Sequence, residues 1–267
     1  MRRHGLHRPA ARLLWRTAPT RDTFDGMIQP EIRVFADTTG VAREAAGRVV
    51  KASRDAIDQH GRFSLVLSGG STPRMLYELL ASDEFRDQID WTHTLVYFGD
   101  ERTVPPDHPD SNYRLASETL LRRVPIPGDN VYRIRGEIDP EQAAREYGQM
   151  LQEHFADTGP DLVLLGMGQD GHTASLFPHT PALKESKHRC VANRVEKLNT
   201  TRLTLTAPFI NRAAQVLILV TGADKAARVA EVLEGPFDPD RLPIQLIQPA
   251  SGRLTWLLDA AAAGMQE

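Results

Sequence analysis

One cysteine, Cys190, stands in 267 residues, so no internal disulfide can form, and a single thiol fits a reducing compartment. Without a supporting motif, Cys190 reads as a passive thiol rather than a nucleophile. No apolar run is long enough to span a bilayer. There is no Gly-Lys-Ser/Thr ending for a nucleotide P-loop and no Gly-x-Ser-x-Gly elbow for a serine acyl-enzyme. Excess positive charge is also lacking: the formal net charge is −3, which points to neither nucleic acid nor an acidic membrane as partner. Repeats, low-complexity tracts and interdomain linkers are absent. What is present, 41% hydrophobic and 25% charged residues with 19 Gly and 18 Pro, is the composition of a globular chain with ample core.

The first 26 residues differ from the rest. Six arginines face two aspartates there, giving +4 and leaving −7 for the remainder. The segment is Arg-rich like an organelle-targeting sequence but lacks serine enrichment. It reads as a disordered basic extension, residues 1–26, ahead of a domain spanning 27–267.

From Met27 the chain alternates strand and helix. Strands are expected at Ile32–Ala36, Phe63–Leu67, Thr94–Phe98, Val131–Ile134, Leu162–Leu165, Arg202–Thr206, Gln215–Val220, Ile244–Ile247 and Leu254–Leu258. Asp37 to Gly40 offers N-caps for a helix whose buried face is Val41, Ala45, Ala46, Val49, Val50 and Ile57. Pro73 suits the first position of the next helix, with Ser71 or Thr72 as cap and Met75, Leu76, Leu79 and Leu80 inward. Ser111–Tyr113 opens a helix to about Leu121, Pro140–Phe155 forms another, one more runs to Leu233, and Ala260–Ala263 makes a terminal turn. Alternating β and α with short connections predicts one α/β domain, a mainly parallel sheet with helices on both faces.

Chemistry gathers at strand ends, where open α/β sheets bind ligands. After Leu165 come Gly166-Met167-Gly168-Gln169-Asp170-Gly171-His172 and a short helical start, Thr173–Leu176, cut off by Pro178 and Pro181. Asp170 and His172 are close enough for the carboxylate to orient the ring. Gly166-x-Gly168-x-x-Gly171 also fits the dinucleotide fingerprint, but the long helix behind it is missing, and Asp170 would oppose a pyrophosphate. Ser68-Gly69-Gly70-Ser71-Thr72-Pro73 is a glycine and hydroxyl junction at a helix N-terminus, suited to a phosphate monoester. Gly99-Asp100-Glu101-Arg102 brings two acids and a cation to a third strand end. His172 and His179 have no third ligand at metal-site spacing.

The strings SGGSTP, YFGDERTVPPDHPDSNY, GMGQDGHTASLF, RLTLT, GADKA and LPIQLIQPASGRLTWLLDAAA, in this order, resemble the 6-phosphogluconolactonase family, within a group that includes glucosamine-6-phosphate deaminases. The resemblance implies a single Rossmann-like α/β domain, hydrolysis of 6-phosphoglucono-1,5-lactone in the oxidative pentose phosphate pathway, and no metal, cofactor or nucleotide; a cytoplasmic monomer or small homo-oligomer is expected. It implies His172 as base, Asp170 orienting it, and Asp100 and Arg102 at the sugar or oxyanion. Gly70, Ser71, Thr72, Arg202 and Lys225 would hold the phosphate. Two positions depart from the family: His179 stands where glycine usually follows Phe-Pro, and KLNTT replaces a Lys-Pro-Pro-like segment, leaving open which residues around 197–202 meet the phosphate. Deaminases of the group carry a glutamate five residues after the histidine, where this chain has Phe177, and a tyrosine where it has Arg102. The alternatives are a deaminase or isomerase of an amino-sugar phosphate, and a non-catalytic sugar-phosphate sensor.

Overall fold

Runs such as Phe63–Leu67 and Leu162–Leu165 carry no polar alternation, and in the structure nearly every one of their side chains is shielded on both sides. Strands of this kind belong in the middle of a covered parallel sheet. Full burial of each aliphatic side chain contributes roughly 1.5–3 kcal/mol. The computed structural model describes residues 29–265; the basic segment 1–26 lies outside the described residues.

In chain order the elements are β1 (Glu31–Phe35), α1 (Thr38–His60), β2 (Phe63–Leu67), α2 (Ser71–Leu80), β3 (Thr94–Phe98) and β4 (Asp100–Arg102). Then follow α3 (Asn112–Ala116), β5 (Val131–Tyr132), α4 (Pro140–Phe155), β6 (Leu162–Gly166), β7 (Cys190–Val195) and β8 (Thr200–Leu205). The chain closes with α5 (Ala207–Ile210), β9 (Gln215–Val220), α6 (Ala226–Glu234) and β10 (Arg253–Asp259).

Seven strands form one parallel sheet in the order β1-β10-β9-β6-β2-β3-β5. The chain moves outward from β2 through β3 to β5, then returns through β6 and β9 to β10. Right-handed crossovers put the connections of these two halves on opposite faces. β2 and β6 are neighbours that feed opposite directions, so the sheet has its topological switch point between their carboxyl ends. The SGGSTP junction follows β2 and the Asp170–His172 loop follows β6. A second sheet, antiparallel, has the order β4-β8-β7 and pairs Arg102 opposite Arg202.

Local signals account for the helix limits. Asp37 caps α1 by accepting from Gly40 N at 2.8 Å, and Gly61 ends the helix at φ 81°. Asp139 caps α4 by accepting from Gln142 N, with Pro140 in its first turn.

Several expectations need correction. Thr173–Leu176 is no helical start: Ala174 sits at φ 47°, and Thr173 and Leu176 form an isolated antiparallel bridge. Ile244–Ile247 is not a strand, because Pro243–Leu246 is a 3₁₀ helix held by Gln245, whose amide donates to the Val232 and Pro236 carbonyls. α2 starts at Ser71 with Gly70 as its N-cap, so neither Ser71 nor Thr72 caps it. Tyr77 is buried on its inner face while Met75 is exposed. Asp100–Arg102 is a strand of its own, and β7 carries no alternation that announces it.

Candidate active site

The loop after β6 is built around its glycines. Gly168 N donates to His172 O at 2.9 Å, and Thr173 Oγ1 donates back to Gly166 O at 2.8 Å. A Cβ on Gly168 would lie 2.1 Å from the His172 ring, so only glycine lets the imidazole fold over this turn. Gly171 has φ 82°, and a Cβ there would meet Leu242 at 2.9 Å. Ile244 N donates to Gly171 O at 3.0 Å, so the 3₁₀ turn at Pro243 braces the loop from behind.

His172 is held on two sides. Its Nδ1 lies 2.5 Å from Asp170 Oδ1, and its ring stacks on Phe177 with centroids 4.2 Å apart and planes 24° apart. The other carboxylate oxygen, Oδ2, accepts from Lys197 Nζ at 2.6 Å. Burial pushes the Asp170 carboxyl up, but the hydrogen bonds from His172 and Lys197 outweigh it and hold the group well below the usual carboxylate range. A carboxylate accepting from Nδ1–H leaves Nε2 as the unprotonated nitrogen of the ring.

The antiparallel sheet supplies the opposite wall. Asp100 is 7% exposed, with Oδ2 accepting from Ser175 Oγ at 2.7 Å and Oδ1 from Asn112 Nδ2 at 3.0 Å. Ser175 N donates to Thr204 Oγ1, which ties the central loop to β8. Glu101 turns away from the cleft: it accepts from the backbone N–H groups of Arg102, Asn112 and Tyr113 and from Ser111 Oγ, while burial raises its pKa. Arg202 has its pKa lowered, first by burial and then by the like charge of Arg102. Like charges directly opposite on paired strands are unfavourable, and an anion bound between them would relieve that repulsion.

These walls enclose a cleft of about 620 Å³. His172, Asp170, Asp100, Arg102, Arg202 and Lys225 all line it. Gly70, Ser71 and Thr72 do not; their junction lies alongside, where Thr72 Oγ1 and Thr221 Oγ1 are 2.8 Å apart at the start of the segment bearing Lys225. The N-terminus of α2 has no side-chain cap, so its first N–H groups remain without an internal side-chain acceptor. Gln169, Ser175 and Arg228 also line the cleft and were not singled out by sequence. Ser175 acts with Asp100, a partner 75 positions away, and no local pattern signals that. Cys190 is buried, its thiol pushed up to about 12 by burial, and does not line the cleft. Among the described residues no cluster of three His, Cys, Asp or Glu is placed to hold a metal, and no helix is long and apolar enough to cross a membrane.

A carboxylate-backed imidazole facing a bank of cations, at the crevice of a doubly wound sheet, defines an α/β enzyme for a small anionic substrate. Residues 36–256 match the family described as glucosamine-6-phosphate isomerases/6-phosphogluconolactonase. The chain belongs to that family. A 6-phosphogluconolactonase of Nostoc sp. is 41% identical over 238 residues, covering 86% of this chain and 96% of the relative. One from Synechocystis sp. is 41% identical over 239 residues, covering 87% and 97%. The solved 6-phosphogluconolactonase of Trypanosoma brucei aligns with a TM-score of 0.77 at 30% identity, over 88% of this chain and 98% of that one.

Proposed function

We propose that this protein hydrolyses 6-phospho-D-glucono-1,5-lactone to 6-phospho-D-gluconate in the oxidative pentose phosphate pathway, with His172 as general base. The observation that carries the site assignment is the pairing of Asp170 and His172 at 2.5 Å in one cleft with Arg102, Arg202 and Lys225. The family membership and its lactonase relatives support the substrate.

Asp170 accepts from Nδ1–H, so Nε2 takes a proton from water as the water oxygen bonds to the lactone carbonyl carbon. The carbonyl oxygen becomes an oxyanion, and Arg102 stabilises that charge in a partly dehydrated cleft. When the carbon–ring-oxygen bond breaks, the imidazolium returns its proton to the departing oxygen, which becomes a hydroxyl. One ring nitrogen thus serves first as general base and then as general acid. Arg202 and Lys225 hold the phosphate, with the hydroxyls and N–H groups of Gly70, Ser71 and Thr72 at its far side. Binding energy from the remote phosphate fixes the orientation of the reacting carbon. Asp100, pinned by Ser175 and Asn112, fixes the wall that carries Arg102 and faces the sugar.

Phe177 argues against an amino-sugar deaminase. Its ring covers a face of His172, where ring opening of an amino sugar asks for a further carboxylate. Lactone hydrolysis needs none. The test is hydrolysis of the lactone by purified protein, measured above its fast spontaneous rate, beside ammonia release from glucosamine-6-phosphate. Lactone hydrolysis with ammonia no higher than in the enzyme-free control is expected. Ammonia release at a comparable rate would overturn the assignment.

A further inference from the structure

The β7–β8 hairpin does more than carry Arg202. Its tip is a 3₁₀ turn, Glu196–Leu198, closed by Asn199 at φ 47°, with Asn199 N donating to Glu196 O at 2.9 Å. That turn places Lys197 over the loop after β6, where Nζ meets Asp170 Oδ2 at 2.6 Å. The hydrogen-bonded line is therefore Lys197, Asp170, His172, and both carboxylate oxygens are occupied.

The cleft's other cations have different partners. Arg228 donates to Gln169 O and pairs with Glu231, Lys225 lies 3.5 Å from Asp224, and Arg102 donates to Asp110 O. Arg202 faces Arg102 across the ladder. Among the described residues, Lys197 is the cation whose partner is the carboxylate that orients the base.

We propose that Lys197 is a positioning residue that acts through Asp170, drawing negative charge away from His172 so that the ring stays neutral and ready to accept a proton. A bare carboxylate on Nδ1 favours the imidazolium, which cannot act as a base. A cation on the far oxygen offsets that preference, and it also keeps Asp170 from repelling an anionic substrate. Besides Asp170 and Lys197, the charged groups lining the cleft with the ring are Asp100, Arg102 and Arg202 from the small sheet, and Lys225 and Arg228 from the segment after β9; Asp224 on that segment accepts from Gln169 Nε2 at 2.8 Å. Asp240, from the chain beyond α6, is occupied by His179, which lies seven positions past His172. None of these bonds to either oxygen of the Asp170 carboxylate; Lys197 and His172 do.

The kinetic arm rests on the lactonase reading, so the experiment has one arm that does not. In ligand-free full-length protein, long-range ¹H–¹⁵N NMR follows the His172 ring nitrogens against pH in wild type, Lys197→Met and Lys197→Arg. Removing the cation stabilises the imidazolium, so in Lys197→Met the ring takes up its proton at higher pH, by about half a unit given solvent screening at this partly exposed pair. Lys197→Arg restores the wild-type midpoint. In kinetics, the acid limb of kcat/KM for Lys197→Met moves up in step: turnover is reduced at low pH, and the deficit closes as pH rises. The same limb shift appears with unphosphorylated glucono-1,5-lactone. An unchanged NMR midpoint overturns the proposal whether or not lactone is hydrolysed. A loss confined to the phosphorylated lactone, equal at all pH values, would instead make Lys197 a phosphate contact.

Discussion

In the parallel sheet, site residues sit on loops beyond the last ladder hydrogen bond; in the antiparallel sheet, they sit within the ladder itself. Asp170 and His172 hang from a turn that only glycine permits, and Lys225 follows β9 in the same way. Asp100, Arg102 and Arg202 lie in register across β4 and β8. The difference separates two demands. The imidazole needs an unusual backbone path so that its ring can fold onto a carboxylate, and loops provide that. The cations need fixed mutual spacing although they repel one another, and backbone pairing enforces it. Changes at the loop-borne Asp170–His172 pair should therefore act on turnover, and changes at Arg202 in the ladder on affinity for the phosphate.

The sharpest way to test that division is His172→Asn, which removes the base and keeps a polar side chain. Turnover should fall by about 10²–10⁴, with 6-phosphogluconate binding by calorimetry nearly unchanged. Near wild-type turnover would remove His172 from the mechanism. Gly168→Ala comes next. Its methyl would stand 2.1 Å from the His172 ring, and displacing a base from its working position costs roughly ten- to a hundredfold in kcat. Product affinity should again be kept; unaltered kcat would show that the ring does not depend on this turn.

On the ladder side, Arg202→Ala removes one charge-assisted contact, about 1.5–3 kcal/mol of binding. That corresponds to roughly ten- to 150-fold weaker binding of 6-phosphogluconate, with gluconate, already a poor ligand, little changed. Equal losses for both ligands would mean that Arg202 serves the sugar or the fold. The smallest effect is expected at His179→Gly. His179 holds φ 61° and is secured by Asp240, through Nδ1 to Oδ2 at 2.6 Å and through its own N–H to the Asp240 carbonyl at 2.9 Å. Glycine relieves a left-handed conformation but loses the exposed side-chain pair and adds chain entropy, so stability should change by less than about 1 kcal/mol. A drop in melting temperature of many degrees would show that the pair anchors the catalytic loop.

The sequence disclosed the loop side far better than the ladder side, for a physical reason. A buried strand followed by glycines and an acid–histidine pair is a local signal, and β6 with its loop is contiguous from Leu162 to His172. The small sheet is assembled from β4, β7 and β8, and its segment CVANRV is buried too irregularly to show period two. The contacts that decide it, Ser175 to Asp100 and Lys197 to Asp170, span 75 and 27 positions. The same cause explains the failed helix at Thr173–Leu176. Thr173 is bound to Gly166 O, while Ser175 is bound to Thr204 and Asp100, and together they draw that segment across the cleft against its local preference.

One further property follows from the order of the parallel sheet. Among the described residues β1 is the first strand and β10 the last, and β10 is the only strand paired with β1; the hydrogen bond from Thr255 to Glu31 spans 224 positions. At about 5–20 residues per second, a ribosome takes on the order of ten to forty seconds to cross that interval. Through that time β1 has no strand to pair with, and the loop that must finally close is nearly as long as the folded chain. The central strands β2, β3 and β6, and the Asp170–His172 loop that follows β6, are made well before that edge can be completed. The strands that flank the candidate site can therefore pair early in synthesis, whereas β1 can be locked only once β10 has been made.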